Sequence, residues 1–536
     1  MFRNRKEWKR QLNASGTGLL WHRARDHADD DDSSSEVAPI DLFDSGCVVN
    51  FVRDDQVALT EDWSEASVAM VDLSDDGQEA FPLEEVVVVG GDDSKGRCLS
   101  GLQLDPRMAE KDDIASSVVM ELAEVKDGEP VLFDASEAGA GMETVEAFCD
   151  LAAQDFPTKY AHFATAIAAL RGDAAERSTA PIQLDITRGE AYDNSMALLS
   201  QVAAAQMRAV MRVRFDGESG VDAGGLLRDW FCVMSDGLVG ESTTRMFVAA
   251  SDPDRSFYLD GGVDEQLSLA AGRFIGRALL EGYPLGFHLS LPLLKMIVGV
   301  PVTFDDLEHF DPECFHSLKW LLENDEVDAL ALTFSVGEMN GSTVTEHELV
   351  PGGASVDVTD ANKVEFVALK FHHLVFGRVE AVLEPFLTGI FEVIPRSLLM
   401  LFDPEELDYL LSGSDEIDIE DWRRNTKYSE ELHDHPAMRW FWELVEEMPL
   451  EHRRRLLRFA TGSARVPIGG FGALTSYDGR LCPFTLKGVS WIASGGYIRS
   501  HACFNRLDLP LYVDRDDLKQ VLFALLDSEA EGFTTA

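Results

Sequence analysis

Apolar residues along this chain fall into two textures. Between about 40 and 135 they form short runs, at 47–49, 68–71 and 86–89, separated by Gly, Asp and Ser. Runs of that length between turn formers predict strands, so 40–150 is expected to hold a small β-rich module. From about 155 the runs lengthen into helix-sized segments, such as 159–170, 272–281 and 289–298, divided by Pro and Gly. Strand-like stretches at 211–215 and 364–369 interrupt them. The last hundred residues combine a helix rich in tryptophan, around Trp440, Phe441 and Trp442, with Gly/Pro loops and short strands. The pattern predicts an α+β chain with helix dominant in the middle. At the start, Arg3, Arg5, Lys6, Lys9 and Arg10 surround Trp8 and Leu12. Those two apolar residues lie one helical turn apart, which predicts a short basic helix with a frayed end.

Length and charge narrow the picture. At 536 residues the chain has room for about three or four domains or lobes. Lys and Arg number 46 against 95 Asp and Glu, a formal charge of −49. Residues 1–150 hold 13 basic and 35 acidic side chains, or −22, so the imbalance is concentrated there. Asp29 to Asp32 followed by Ser33 to Ser35 reads as a solvated linker, so 1–39 is expected to be a basic helix plus a partly disordered acidic linker. So acidic a chain repels phosphate backbones and anionic lipid, which argues against nucleic-acid or membrane-surface partners. It suits a basic protein partner.

Seven cysteines, at 47, 98, 149, 232, 314, 482 and 503, are widely spaced with no Cys-x-x-Cys. That predicts reduced thiols, not a zinc ribbon or a disulfide framework. The pair His372-His373 has no partner at metal-ligand spacing, and His309, Cys314 and His316 could approach one another but offer only a lone Cys-x-His, so no metal is expected. No apolar run reaches 18 residues, and the N-terminus lacks the core of a signal peptide. The expected compartment is the cytoplasm, with the nucleus open.

Cys503 stands in the segment Tyr497-Ile498-Arg499-Ser500-His501-Ala502-Cys503-Phe504-Asn505-Arg506-Leu507-Asp508-Leu509-Pro510, after the Gly495-Gly496 pair. A thiolate is the reactive form of cysteine, and nearby positive charge favours it. Arg499, His501 and Arg506 supply such charge. Composition alone leaves this thiol evenly divided between a reactive group and a packed one.

The segment 500–510 resembles the active-site signature of HECT-type E3 ubiquitin ligases. Other segments agree in order. The stretch 213–231, through Asp222, Gly224, Gly225, Arg228 and Trp230, resembles the family's early N-lobe motif. Phe274-Ile275-Gly276-Arg277 is similar to the next block, and 348–362, through Pro351-Gly352-Gly353, to a later one. Asp421-Trp422, Thr426 and Tyr428 fit the approach to the interlobe hinge. Trp440 to Trp442, 457–463, Val466-Pro467 and Gly470-Phe471 fit the C-lobe. The resemblance spans about 155–536. Ala502 stands where the family usually has Thr, and Asp229 where it has Glu.

The resemblance implies a bilobal HECT domain. A larger N-lobe at 155–427, with an E2-docking subdomain around 300–390, would be joined by a hinge at 428–432 to a C-lobe at 433–536. Cys503 would take ubiquitin from a ubiquitin-loaded E2 enzyme as a thioester and pass it to a lysine of a protein substrate. The covalent intermediate divides one hard transfer into two easier ones. No cofactor is implied. His501 would either steady the thiolate and the incoming tail or simply bond backbone. Asp508 is expected to cap a turn ahead of taking a proton. Phe533, fourth from the end, occupies the place of the family's tail aromatic. Arg228 is expected to pair inside the N-lobe. Phe304, Phe310, Phe315 and Trp320 are candidates for the docking groove, most of them for packing. Two rival readings are a cysteine hydrolase of the deubiquitinase kind, which needs a His and an Asn or Asp against the thiol, and a non-catalytic scaffold that keeps the fold.

Overall fold

The computed structural model describes residues 8–15, 18–23, 45–53, 99–103, 118–131, 144–176, 180–216, 225–240, 245–250, 256–340, 343–414, 416–463, 465–474 and 481–527. The runs expected at 68–71 and 86–89 and the linker at 29–35 lie outside them.

The N-terminal part is β-structured. Strand β1 (Trp8–Leu12) pairs antiparallel with β2 (Leu19–Arg23). Next come β3 (Ser45–Arg53), β4 (Leu99–Gln103), β5 (Val118–Lys126) and β6 (Pro130–Val131). They form two three-stranded sheets, ordered β1-β2-β6 and β3-β5-β4. The described part of the opening basic stretch, Trp8–Leu12, is therefore a strand and not a helix. A four-residue spacing of Trp8 and Leu12 fits both periods, and the partner strand decides. Trp8 turns inward and meets Trp21 edge-on at 6.5 Å, while Lys9 and Gln11 face out.

These sheets are not a free-standing module. Cys47 and Val302 exchange two backbone hydrogen bonds of 2.8 and 2.7 Å. Gly46 lies so close to Pro301 that an added Cβ would approach its ring at 2.8 Å. Arg396 donates to Val49 O at 2.5 Å. Reciprocally, Arg10 stacks over Trp21 and donates to Met400 O, Val298 O and Gly299 O at 2.7, 2.5 and 3.1 Å. Burial, then the neighbouring Arg396, pulls the Arg10 pKa down to about 9, so it stays cationic at neutral pH. Arg10→Ala leaves these carbonyls without their charged donor. It is expected to cost about 2–4 kcal/mol, read as a lowered urea midpoint by tryptophan fluorescence. An unchanged midpoint would show that the strand is merely laid on the surface.

Helices α1 (Val145–Ala152) and α2 (Phe156–Glu176) lead into the N-lobe. There β7 (Ile182–Ile186) and β8 (Met211–Phe215) pair in parallel, joined through α3 (Ala191–Gln201), and both strands alternate buried and exposed. The lobe continues with α4 (Gly225–Val239), the antiparallel pair β9 (Phe247–Ala249) and β10 (Phe257–Leu259), α5 (Glu265–Glu281), α6 (Leu291–Val298) and α7 (Pro312–Glu323). The hairpin of β11 (Ser335–Asn340) and β12 (Thr343–Glu348) precedes α8 (Lys363–Val375), α9 (Glu380–Val393) and α10 (Pro404–Ser412). Residues 364–369 are thus helical, not strand. Phe366, Val367 and Phe371 are buried at helical spacing, a period too long for a six-residue run to reveal.

Helix α5 is the axis of the lobe. Its Gly272 and Gly276 lie against α9 at Phe386, Gly389 and Val393. Its arginines reach outward to backbone: Arg273 to Leu199 O at 2.6 Å, and Arg277 to Met207 O and Ala209 O at 3.0 and 2.8 Å. Glu392 and Glu281 balance their charges. The block at 274–277 therefore serves packing.

The first hydrophobic cluster ends at Leu411 and the second begins at Ile417. The two cores are separated at 412–416, with Gly413 at φ +67°, upstream of the 428–432 hinge that the family resemblance implies. The second unit holds α11 (Ile419–Arg424), β13 (Lys427–Tyr428), α12 (Pro436–Glu447), α13 (Leu450–Thr461), β14 (Thr485–Val489), β15 (Arg499–His501), β16 (Arg506–Pro510) and α14 (Arg515–Asp527). Its sheet runs β13-β14-β16-β15, antiparallel only at β15. Tyr428 is thus part of a strand, Ser429 Oγ accepts from Gly488 N at 2.9 Å, and Leu432 is 0% exposed. Glu430 and Glu431 are exposed, and Glu430–His433 forms a short helix that follows the strand.

Candidate active site

Strands β15 and β16 pair from Arg499 with Asp508 to His501 with Arg506, leaving four residues to turn the chain. Ala502–Phe504 form one 3-10 turn, with Cys503 in its middle. Asn505 closes it at φ +48°, the left-handed region that Asn tolerates better than most residues. Its side chain is 0% exposed and donates to Cys482 O at 2.7 Å. Its backbone N donates to Ala502 O at 3.2 Å, and its carbonyl accepts from Thr485 N at 2.8 Å. Leu507 and Leu509 are buried, so β16 is held firmly on the far side of the turn. The turn carrying Cys503 is therefore shaped by the sheet and by Asn505. In the sequence Asn505 is one polar residue among several near Cys503; the signal for its role is that Asn accepts positive φ more readily than most non-Gly residues. The side chain of Cys503 and all of Phe533 lie outside the described residues.

His501 and Asp508 are brought together. His501 Nε2 lies 3.1 Å from an Asp508 oxygen, and Arg506 Nε lies 2.9 Å from the other. Asp508 thus sits within a strand as the centre of a charge cluster. It is not a turn cap, because alternate residues of β16 share a face and place it beside Arg506. His501 bonds a carboxylate, a partner that sequence proximity did not single out.

Arg228 departs furthest from expectation. It rises from α4 in the N-lobe and crosses to the C-lobe. Nε donates to Tyr283 Oη at 3.0 Å, within its own lobe. Nη1 faces Thr461 O, Ala502 O and Asn505 Oδ1, each at 3.0 Å. One turn on, Cys232 Sγ donates to Gly462 O at 3.0 Å. Further contacts close the seam: Arg458 with Asp236 at 2.9 Å, and Arg465 with His288 at 3.1 Å, whose other ring nitrogen meets Asp408 at 2.8 Å. Asp222 and Gly224 lie outside the described residues.

The other thiols with shifted pKa values move away from reactivity. Burial raises Cys149 and Cys314, and it pushes Cys232 up to about 11. A thiol with that pKa carries on the order of one thiolate per thousand molecules at pH 8. Iodoacetamide at pH 8 is accordingly expected to leave Cys232 unlabelled in the folded chain and to label it as pH rises towards 11. Rapid labelling at pH 8 would mean that the lobes spend much of their time apart.

The profile of the HECT-domain (ubiquitin-transferase) family matches residues 232–536. The chain belongs to this family. Its HECT region is similar to E3 ubiquitin-protein ligase UPL2 of Arabidopsis thaliana, 34% identical over 392 residues, which is 71% of this chain and 10% of that protein. It is similar to the E3 ubiquitin-protein ligases Smurf1 and Nedd-4 of Drosophila melanogaster, each 35% identical, over 62% and 66% of this chain and 32% and 35% of those proteins. The chain thus spans about a tenth to a third of the length of these relatives.

Large apolar side chains are exposed in both lobes among the described residues. In the N-lobe, Phe304, Phe310 and Phe315 pack inside, whereas Trp320 is 49% exposed on α7, with Leu330 and Leu332 also open to solvent. In the C-lobe, Phe504 beside Cys503 is 50% exposed, and Leu481, Trp491, Ile492 and Tyr497 are exposed too. No described helix is long and apolar enough to cross a membrane.

Proposed function

We propose that this chain is an E3 ubiquitin ligase that carries ubiquitin as a thioester on Cys503. The observation that carries the reading is the turn at 502–505, placed at the end of two strands within the span of the family match. In the first step the Cys503 thiolate attacks the carbonyl that joins the ubiquitin C-terminus to the E2 cysteine. A new C–S bond forms, the old one breaks, and the E2 leaves as thiolate. The exchange is nearly isoenergetic. In the second step the neutral amine of a substrate lysine attacks the same carbonyl, the Cys503 sulfur leaves, and the amine loses a proton to solvent or a base. Thioester becomes amide, which draws the sequence forward.

Each remaining part has a task in this reading. Trp320, Leu330 and Leu332 form the apolar patch on which the E2 docks, within the 300–390 segment. The exposed Phe504 and its neighbours meet ubiquitin itself. His501, oriented by Asp508, positions the ubiquitin tail, and Phe533 positions the C-lobe for the second transfer. Bringing macromolecular partners into register supplies much of the acceleration, since a thioester needs little further activation.

The test is charging with E1, E2 and ubiquitin, followed by non-reducing electrophoresis. Wild type should show an adduct that dithiothreitol removes, and Cys503→Ala should show none. Release of free ubiquitin from a ubiquitin conjugate, without an adduct, would instead favour the hydrolase. An unchanged rate of ubiquitin transfer in Cys503→Ala would favour the scaffold.

A further inference from the structure

We infer that Arg228 of the N-lobe is a positioning residue for the turn that carries Cys503, an inference that rests on the proposed role of that turn. Helix α13 ends at Thr461, followed by Gly462 at φ +80°. Its last carbonyls point out of the helix and favour a cation. Arg228 answers Thr461 O and the Cys232 thiol answers Gly462 O. The N-lobe therefore caps a C-lobe helix, and that alone would be a docking contact. The same Nη1 also reaches Ala502 O and Asn505 Oδ1, the first and last residues of the reactive turn.

Asn505 is the link. Its buried amide donates to Cys482 O on one side and accepts from Arg228 on the other. The left-handed backbone at Asn505 is held by these two bonds together with the pairing of β14 and β16. When the lobes dock, the guanidinium sets the Asn505 amide and the Ala502 carbonyl at once. When they part, both lose their cation. Cys503, lying between them in sequence, experiences two shapes of turn, one per lobe arrangement. The seam contacts named above lie on 228–288 and 408 of the N-lobe, away from the 300–390 segment. The Arg228-held shape therefore belongs to the step after the E2 has left, transfer from Cys503 to lysine. Lysine cannot substitute well at 228, because a single ammonium cannot span Tyr283 and three C-lobe oxygens as a planar fork does.

The experiment compares full-length wild type, Arg228→Ala, Arg228→Lys and Asp236→Ala. The last breaks the exposed Arg458 pair in the same seam without touching the turn. Hydrogen–deuterium exchange is read on the amides of 502–506, with no ubiquitin present. Discharge of preformed thioester to free lysine is read in a single turnover. Arg228→Ala is expected to speed exchange in the turn and to slow discharge, each by about tenfold for the loss of hydrogen bonds to a charged donor. Arg228→Lys should fall between, and Asp236→Ala should match wild type in both. Wild-type exchange and discharge in Arg228→Ala would overturn the inference, and so would an equal loss in Asp236→Ala, which would reduce Arg228 to a docking contact. Should no E2 charge the wild type, the proposed ligase chemistry fails, while the exchange measurement still decides whether Arg228 shapes the turn.

Discussion

Cys503→Ser is expected to slow loading with ubiquitin by on the order of a hundredfold or more and to yield a conjugate that dithiothreitol does not remove. Two differences between sulfur and oxygen lead there. A cysteine supplies some thiolate at neutral pH, and positive neighbours raise that fraction, whereas a serine hydroxyl stays protonated unless a base takes its proton. His501 is already engaged with Asp508 through Nε2. The small amount of product that forms is an oxygen ester. Its alkoxide is a poorer leaving group than a thiolate, so the second step stalls and the conjugate accumulates, stable to thiols and cleaved by hydroxide. One substitution thus separates the two halves of the reaction. A serine variant whose conjugate is reduced by dithiothreitol would place the acceptor on another cysteine. One that conjugates and discharges as fast as wild type would remove sulfur from the mechanism altogether.

What the amino-acid order revealed depended on how local each feature is. The loop setting of Cys503 was legible because its determinants lie within a dozen residues: the Gly495-Gly496 pair ahead of it and the polar groups around it. Strands such as 211–215 were legible because alternation is itself local. The opening strand was misread as helix because Trp8 and Leu12 satisfy both periods, and only the partner at 19–23 and the carbonyl acceptors at 298–299 and 400 separate them. Residues 428–432 are polar in composition, yet Tyr428 pairs with β14 and Glu430–His433 forms a short helix whose Leu432 is buried, features that depend on partners distant in sequence. Arg228 was invisible as a lobe-crossing residue because its C-lobe partners lie more than 230 positions away. A Gly-rich approach to a helix is all that its neighbourhood displays.

Gly272→Ala is expected to have a large effect on the folding of the N-lobe. An added Cβ there would lie 1.9 Å from Phe386 O and 3.1 Å from the Cα of Gly389. Both obstacles are backbone, so no side chain can rotate away, and α5 and α9 would have to separate by more than an ångström. The facing glycine is equally tight, since a Cβ on Gly389 would meet Leu269 O at 2.3 Å. Separating the helices loosens what they clamp: Phe274 and Ile275 on one side, Phe386 and Ile390 on the other, all fully buried. It also draws Arg273 from Leu199 O and Arg277 from the 207–209 loop. The slightly higher helix propensity of alanine, roughly 1 kcal/mol, opposes this. Overpacking against fixed backbone exceeds it, and a net loss of about 3–5 kcal/mol is expected. Thermal unfolding of the full chain would show it, with Gly282→Ala as the comparison. That glycine caps the end of the same helix, and nothing lies within 4 Å of its added Cβ. Its left-handed φ of +71° therefore sets the cost, about 1 kcal/mol or somewhat more. If Gly272→Ala melts no lower than Gly282→Ala, the close approach of α5 and α9 is not what holds the N-lobe together.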